Sequence, residues 1–210
     1  MTIANKYDNV NTPEELMDFM NNNIKYGFHG TDGEDYQNDG SKKSNDRFQK
    51  ACRKVYRLAS PEYILKYGLG HCWDQVELER DWFAKHGYEF KTIFIWFLLN
   101  YPNTYSCHTY LIYKDKITKE YCIFEHADYA NRGIHRFRTY VDAIKWQKDR
   151  HIDTNRQNGN RVKADEIGKI HIYEYVCPCY GITDDEFIDN IIYNAKDITR
   201  ITLEKGTQLK

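Results

Sequence analysis

Apolar positions fall into two periods along this chain, and the change between them divides it. Thr12-Pro13-Glu14-Glu15 is an N-terminal helix signature: Thr12 can cap, Pro13 suits the first helical position, and Glu15 can reach back to complete a capping box. Leu16, Phe19, Met20 and Ile24 follow at helical spacing, which predicts a helix over about 13–25. Residues 27–46, GFHGTDGEDYQNDGSKKSND, are rich in Gly, Asp, Asn and Ser and almost free of aliphatics, and read as a surface loop, with a lid as the minority reading. Ser60-Pro61-Glu62 opens a short helix that Gly68 and Gly70 break. From Cys72 onward Trp73, Val76, Phe83 and Ala84 share one stripe until Gly87, a second and longer helix.

After Gly87 the period shortens to two. YEFKTIFIWFLLN (88–100) is apolar on both faces in its second half, as expected of a central strand. CHTYLIYKD and KEYCIFEHA follow, with 115–119 as the turn of a hairpin. Thr139 begins another helix, 151–165 reads as loop, and KIHIYEYV (169–176) alternates as a strand. Thr183-Asp184-Asp185-Glu186 is a capping box for a last helix. Helices, then an antiparallel-type sheet, then more helices give an α+β class, taken as a single domain over 1–210.

Charge changes the picture little: 30 basic against 31 acidic side chains leave no broad cationic field, so neither nucleic acid nor an anionic membrane is the expected partner. The N-terminus carries no secretory pattern, and TIFIWFLL (92–99) is too short to span a bilayer, so a cytoplasmic protein is expected. There the six cysteines, irregularly spaced at 52, 72, 107, 122, 177 and 179, are expected as reduced thiols.

The chemistry gathers around Cys72. A helix N-terminus favours a thiolate through unpaired N–H groups and the macrodipole. The preceding Gly68-Leu69-Gly70 lets backbone approach a substrate carbonyl. His108, at the start of one hairpin strand, is the best general base, and Glu125, near the end of the next, can lie beside it across the strand pair. His126 or Asp128 could orient the imidazole instead. The bland readings are a buried structural thiol, a satisfied sheet histidine and a strand-end carboxylate. His71, adjacent to Cys72, reads as a rim residue, and His126 as a structural group on the opposite strand face. Cys52, Cys107 and Cys122 read as packing, and Trp73, Tyr67, Trp82 and Trp96 as core, with Tyr67 and Trp73 also available to an oxyanion site. VCPCYG (176–181) invites a zinc reading, but no second cysteine pair has the matching spacing.

GLGHCWDQ (68–75), CHTYLIY (107–113) and YCIFEHAD (121–128) together resemble the core of the transglutaminase-like superfamily over roughly residues 60–130. That resemblance implies a cysteine-proteinase-type fold, with N-terminal helices packed on an antiparallel sheet and the nucleophile at a helix N-terminus. It places Cys72, His108 and Glu125 at the three catalytic positions, with Glu where aspartate is usual. Papain-like peptidases share the order Cys, His, acid, but their histidine follows ~130–150 residues later, against 36 positions here. The activity implied is attack on a peptide or glutamine side-chain amide through a thioester, with hydrolysis favoured over amine transfer. The partner is then a protein or peptide substrate, and no cofactor is required; some relatives use calcium, but no EF-hand-type loop is visible. The competing expectation is a non-catalytic transglutaminase-like binding module.

Overall fold

The computed structural model describes residues 2–100, 104–157, 170–176 and 178–202. Its elements run α1 (Ile3–Tyr7), α2 (Pro13–Asn23), β1 (Lys25–His29), β2 (Asp35–Gln37), α3 (Lys42–Val55), α4 (Pro61–Tyr67), β3 (Leu69–Gly70) and α5 (Cys72–Lys85). Then follow β4 (Phe90–Asn100), β5 (Thr104–Lys114), β6 (Tyr121–Glu125), β7 (Gly133–Phe137), α6 (Tyr140–Gln157), β8 (Ile170–Tyr175), α7 (Asp184–Asn194) and β9 (Lys196–Asp197). The class is mixed α+β.

The capping signals act locally, as expected. Thr12 Oγ1 accepts from the Glu15 N–H at 3.1 Å, while Glu15 reaches back to the Asn11 N–H at 2.8 Å, one residue before the cap. Ser60 caps α4, and Gly68 closes it in the left-handed region at φ 67°. Thr183 and Glu186 complete the capping box of α7.

Six strands form an antiparallel sheet in the order β7-β6-β5-β4-β8-β9. β4 lies between β5 and β8 and is covered on both faces: Phe94 and Trp96 point into the cluster that includes α5, whereas Ile93, Ile95 and Phe97 join the cluster beneath α6. This is why its sequence is apolar at consecutive positions.

Two loop expectations are corrected. Within 27–46 the chain forms the β1–β2 hairpin and then enters α3. Few apolar residues suffice: Phe28 is buried and stacks on Tyr36 at 5.1 Å, and Phe48 is the next buried aromatic. Gly27 permits the pairing, since a Cβ there would lie 2.5 Å from the Tyr36 carbonyl oxygen. The second correction is at 151–157, which continues α6. Its inward stripe is Ala143, Ile144, Gln147, His151, Ile152 and Asn155. The spacing is helical, but half of the residues are polar, so hydrophobicity alone concealed it. The rest of that expected loop, 158–165, lies outside the described residues.

β1, β2 and β3 make a second, small sheet in the order β2-β1-β3, with Tyr26 paired to Gly70. This short parallel pairing brings β1 next to the start of α5.

Candidate active site

Cys72 is the first residue of α5, so its own N–H has no intrahelical acceptor. Asp74, in the same first turn, is fully buried and fixes this end of the helix. Its carboxylate accepts from the His71 N–H, the Ala59 N–H and the Tyr56 hydroxyl, each at 2.8 Å. From the sheet, Thr109 donates its hydroxyl to the Cys72 carbonyl at 2.8 Å. The thiol is therefore held between a capped helix end and β5.

His108 and Glu125 meet as the hairpin reading anticipated: His108 Nε2 lies 2.7 Å from Glu125 Oε2. Glu125 is 1 % exposed and also accepts from Gln147 Nε2 at 3.2 Å and from the Asp128 N–H at 2.9 Å. Because Glu125 engages Nε2, Nδ1 is the ring nitrogen left for the thiol side. The other two candidates for orienting His108 are engaged elsewhere. Asp128 bonds Asn131 and the Ala130 N–H. His126 bonds Gln75 Oε1 at 2.6 Å, and Gln75 in turn donates to the Gly70 carbonyl. Burial and the Arg132 charge hold His126 neutral, its pKa lowered to about 3.

Burial pushes the Cys72 thiol up, but the charge of His71 and a hydrogen bond from His108 outweigh it and bring the thiol down to about 5. Burial alone would lower His108; the Glu125 charge, together with the Cys72 hydrogen bond, instead holds it well above the usual imidazole range.

A cavity of about 300 Å³ opens beside His71 and Trp73, the chain neighbours of Cys72, and is bounded further by α3, β1, Ser106 and Cys107 of β5, and Asp184 of α7. No residue of 27–46 is among those that line it. Tyr26 of β1 lines this cavity and packs against His71 at 5.6 Å between ring centroids, and burial keeps its phenol protonated. Tyr26 was missed by sequence reasoning because only the β1–β3 pairing brings it near; nothing local marks it. Gln147 was missed because it is one of three polar residues on the inward stripe of α6, and polar residues at helical spacing give no hydrophobic signal.

His71 is partly buried. It lines the cavity, and its two ring nitrogens both lie 3.8 Å from the Cys72 sulfur. Tyr67 stacks on His29 at 3.8 Å between ring centroids, whereas Trp73 is buried against Phe187 at the cavity wall. Trp82 and Trp96 are core. Cys52 and Cys107 are half-buried and line the cavity as well as packing, and Cys122 is buried. Cys52, Cys72, Cys107, Cys122 and Cys179 are free thiols, and Cys177 lies outside the described residues. Among the described residues no group of three His, Cys, Asp or Glu side chains is arranged to hold a metal ion, and no helix is long and apolar enough to cross a membrane.

Comparison with protein-family models, with curated proteins and with solved structures gives no match.

Proposed function

We propose that this chain is a thiol enzyme of the transglutaminase-like type, cleaving peptide or glutamine side-chain amides through Cys72, His108 and Glu125. The observation that carries the reading is the His108–Glu125 contact of 2.7 Å beside a thiol lowered to about 5 at a helix N-terminus. The Cys72 thiolate adds to the amide carbon, and the carbonyl electron pair moves onto oxygen. One donor at hand for that oxyanion is the Cys72 N–H at the start of the helix. His108 then gives its proton to the departing amine as the carbon–nitrogen bond breaks, leaving a thioester. Water adds next, His108 takes its proton, and the thiolate leaves with the carbon–sulfur bond electrons. Glu125 keeps the imidazole oriented throughout. The oriented base and the burial of the site favour hydrolysis of small amide donors over transfer to a bulky amine.

A specific observation favours the binding-module reading as the second: Cys72 is only 2 % exposed, so a substrate carbonyl reaches it only if surrounding side chains move. Ammonia release from glutaminyl peptides, measured with the wild-type chain and with Cys72→Ala, separates the two. Release by the wild type that Cys72→Ala lacks supports the enzyme. Binding of the same peptides by both proteins without turnover supports the module.

A further inference from the structure

The sulfur of Cys72 has an unusual neighbour in His71. Equal distances of 3.8 Å to Nδ1 and Nε2 mean that neither ring nitrogen can aim its in-plane N–H or lone pair at the sulfur. The contact is therefore not a directed proton-transfer bond. Around the His71 ring stand four aromatic rings: Trp73 at 5.1 Å, Phe48 and Tyr56 at 5.5 Å, and Tyr26 at 5.6 Å between centroids. Phe48 lies nearly parallel to it, at 28°. Aromatic faces within about 6 Å attract a cation, and more strongly when it is shielded from water.

We infer that His71 is a second cationic partner of Cys72, stabilising the thiolate from inside an aromatic box while His108 acts from the sheet. The division of labour follows from geometry. His108, oriented by Glu125, has a free ring nitrogen and can shuttle protons. His71 cannot aim one at the sulfur, so it contributes charge alone.

The groups that face His71 agree with this. On its own helix these are Cys72 and Asp74, and from α7 comes Asp184. Against them stands His108 of β5, with Arg53 of α3 at the same cavity. The phenols of Tyr26 and Tyr56 are both held protonated by burial. Burial lowers the His71 pKa, but the Cys72 charge outweighs it and the imidazole ends raised.

This inference rests on Cys72 being ionised, not on amide hydrolysis, and its test uses no substrate. The rate of Cys72 alkylation by iodoacetamide is followed against pH in the full chain, with the labelled peptide identified by mass. In His71→Gln the midpoint should rise by about one to three pH units, the shift expected from losing an opposite charge at this range. His71→Phe keeps the ring packing and should show the same rise. In His108→Gln the thiol should still titrate clearly below the ~8.5 of a free cysteine. A wild-type midpoint in either His71 variant overturns the inference, as does an ordinary thiol in His108→Gln. Ring nitrogen shifts of labelled histidine in the wild type give a readout independent of variant folding. His71 should be mainly imidazolium at about pH 6.5 and lose that charge in Cys72→Ala; a neutral ring overturns the inference. Intact thiol shifts with no turnover of any amide sink the proposed enzyme while leaving this inference standing.

Discussion

Glu125 reaches His108 along a diagonal of the sheet. The pairing of Leu111 with Phe124 and of Ile112 with Ile123, continued by one residue, sets Glu125 opposite Tyr110, two residues from His108. Diagonal neighbours on adjacent strands are about 7–8 Å apart, yet the carboxylate and the imidazole meet at 2.7 Å. The extra methylene of glutamate, compared with aspartate, spans that gap. Glu125→Asp should therefore cut amide turnover more than tenfold, within the usual worth of a positioned acid–base pair. Full activity in that variant would falsify the diagonal account.

Removing the charge alone is a different experiment. Glu125→Gln keeps the length but takes away the largest influence raising His108, leaving burial to lower it. The active form is thiolate with imidazolium, present above the thiol pKa of about 5 and lost as pH rises through that of His108. The alkaline limb of the pH–rate profile should move to lower pH in Glu125→Gln, with turnover at about pH 7.5 reduced ~10²–10⁴-fold. An alkaline limb that stays in place would assign it to some other group.

Among the free thiols, Cys72 should be alkylated first in mildly acidic solution. At about pH 6 a thiol of pKa near 5 is roughly 90 % ionised, against about 0.3 % for an ordinary one; lower intrinsic nucleophilicity takes back much of that gain, leaving an advantage of roughly tenfold. Peptide mapping after a short exposure to a small alkylating agent measures it. Equal labelling of Cys72 and the exposed Cys179 would remove the thiolate from the mechanism.

Two buried histidines make the fold sensitive to acid. His126 and His151 are both lowered chiefly by burial, to about 3 and about 4. Their folded-state values lie below the unfolded value near 6.5, so the unfolded chain binds the extra protons. The stability they supply is complete above about pH 6.5 and is lost as pH falls from there toward the folded values. Each should contribute a slope of about 1.4 kcal/mol per pH unit across that window. Urea titrations at successive pH values measure the sum, and His151→Gln should flatten it.

Glu79 supplies a stability test away from the thiol. It is 1 % exposed and its Oε2 has no hydrogen-bond partner; burial, then the Glu125 charge, hold its carboxyl well above the usual range. Glu79→Leu should be neutral or stabilising by about 1–3 kcal/mol, because it removes an unsatisfied buried polar group. Asp74→Asn should have the opposite sign. It weakens a carboxylate that accepts three hydrogen bonds and should cost about 1–3 kcal/mol. Thermal melts of the two variants that moved in the same direction would contradict this account.

The elements that were legible share one property: their signal lies within one turn or one strand. Thr12, Ser60 and Thr183 cap through contacts three residues away, and β4 announces its two-sided burial by consecutive apolar residues. That His108 and Glu125 lie on adjacent strands of one hairpin was legible from the two short runs and the turn between them, whereas their diagonal rather than directly opposite placement follows from the register. The illegible parts lack such local cause. Phe28 and Tyr36 form a hairpin by stacking on each other and on α3, not by a long alternating run. α6 continues to Gln157 because Gln147, His151 and Asn155 find polar partners inside, and hydrophobicity cannot register that.

By itself, then, the sequence determined the α+β order of elements, the helix end that carries Cys72 and the strand pair that carries His108 and Glu125, because each depends on neighbours close in the chain. Tertiary structure alone decided what surrounds the sulfur. Tyr26 arrives through the β1–β3 pairing, Phe48 and Tyr56 through the packing of α3, and His71 turns inward because those rings enclose it. Contacts between distant segments are set by shape and burial across the whole fold, and no short stretch of chain carries that information.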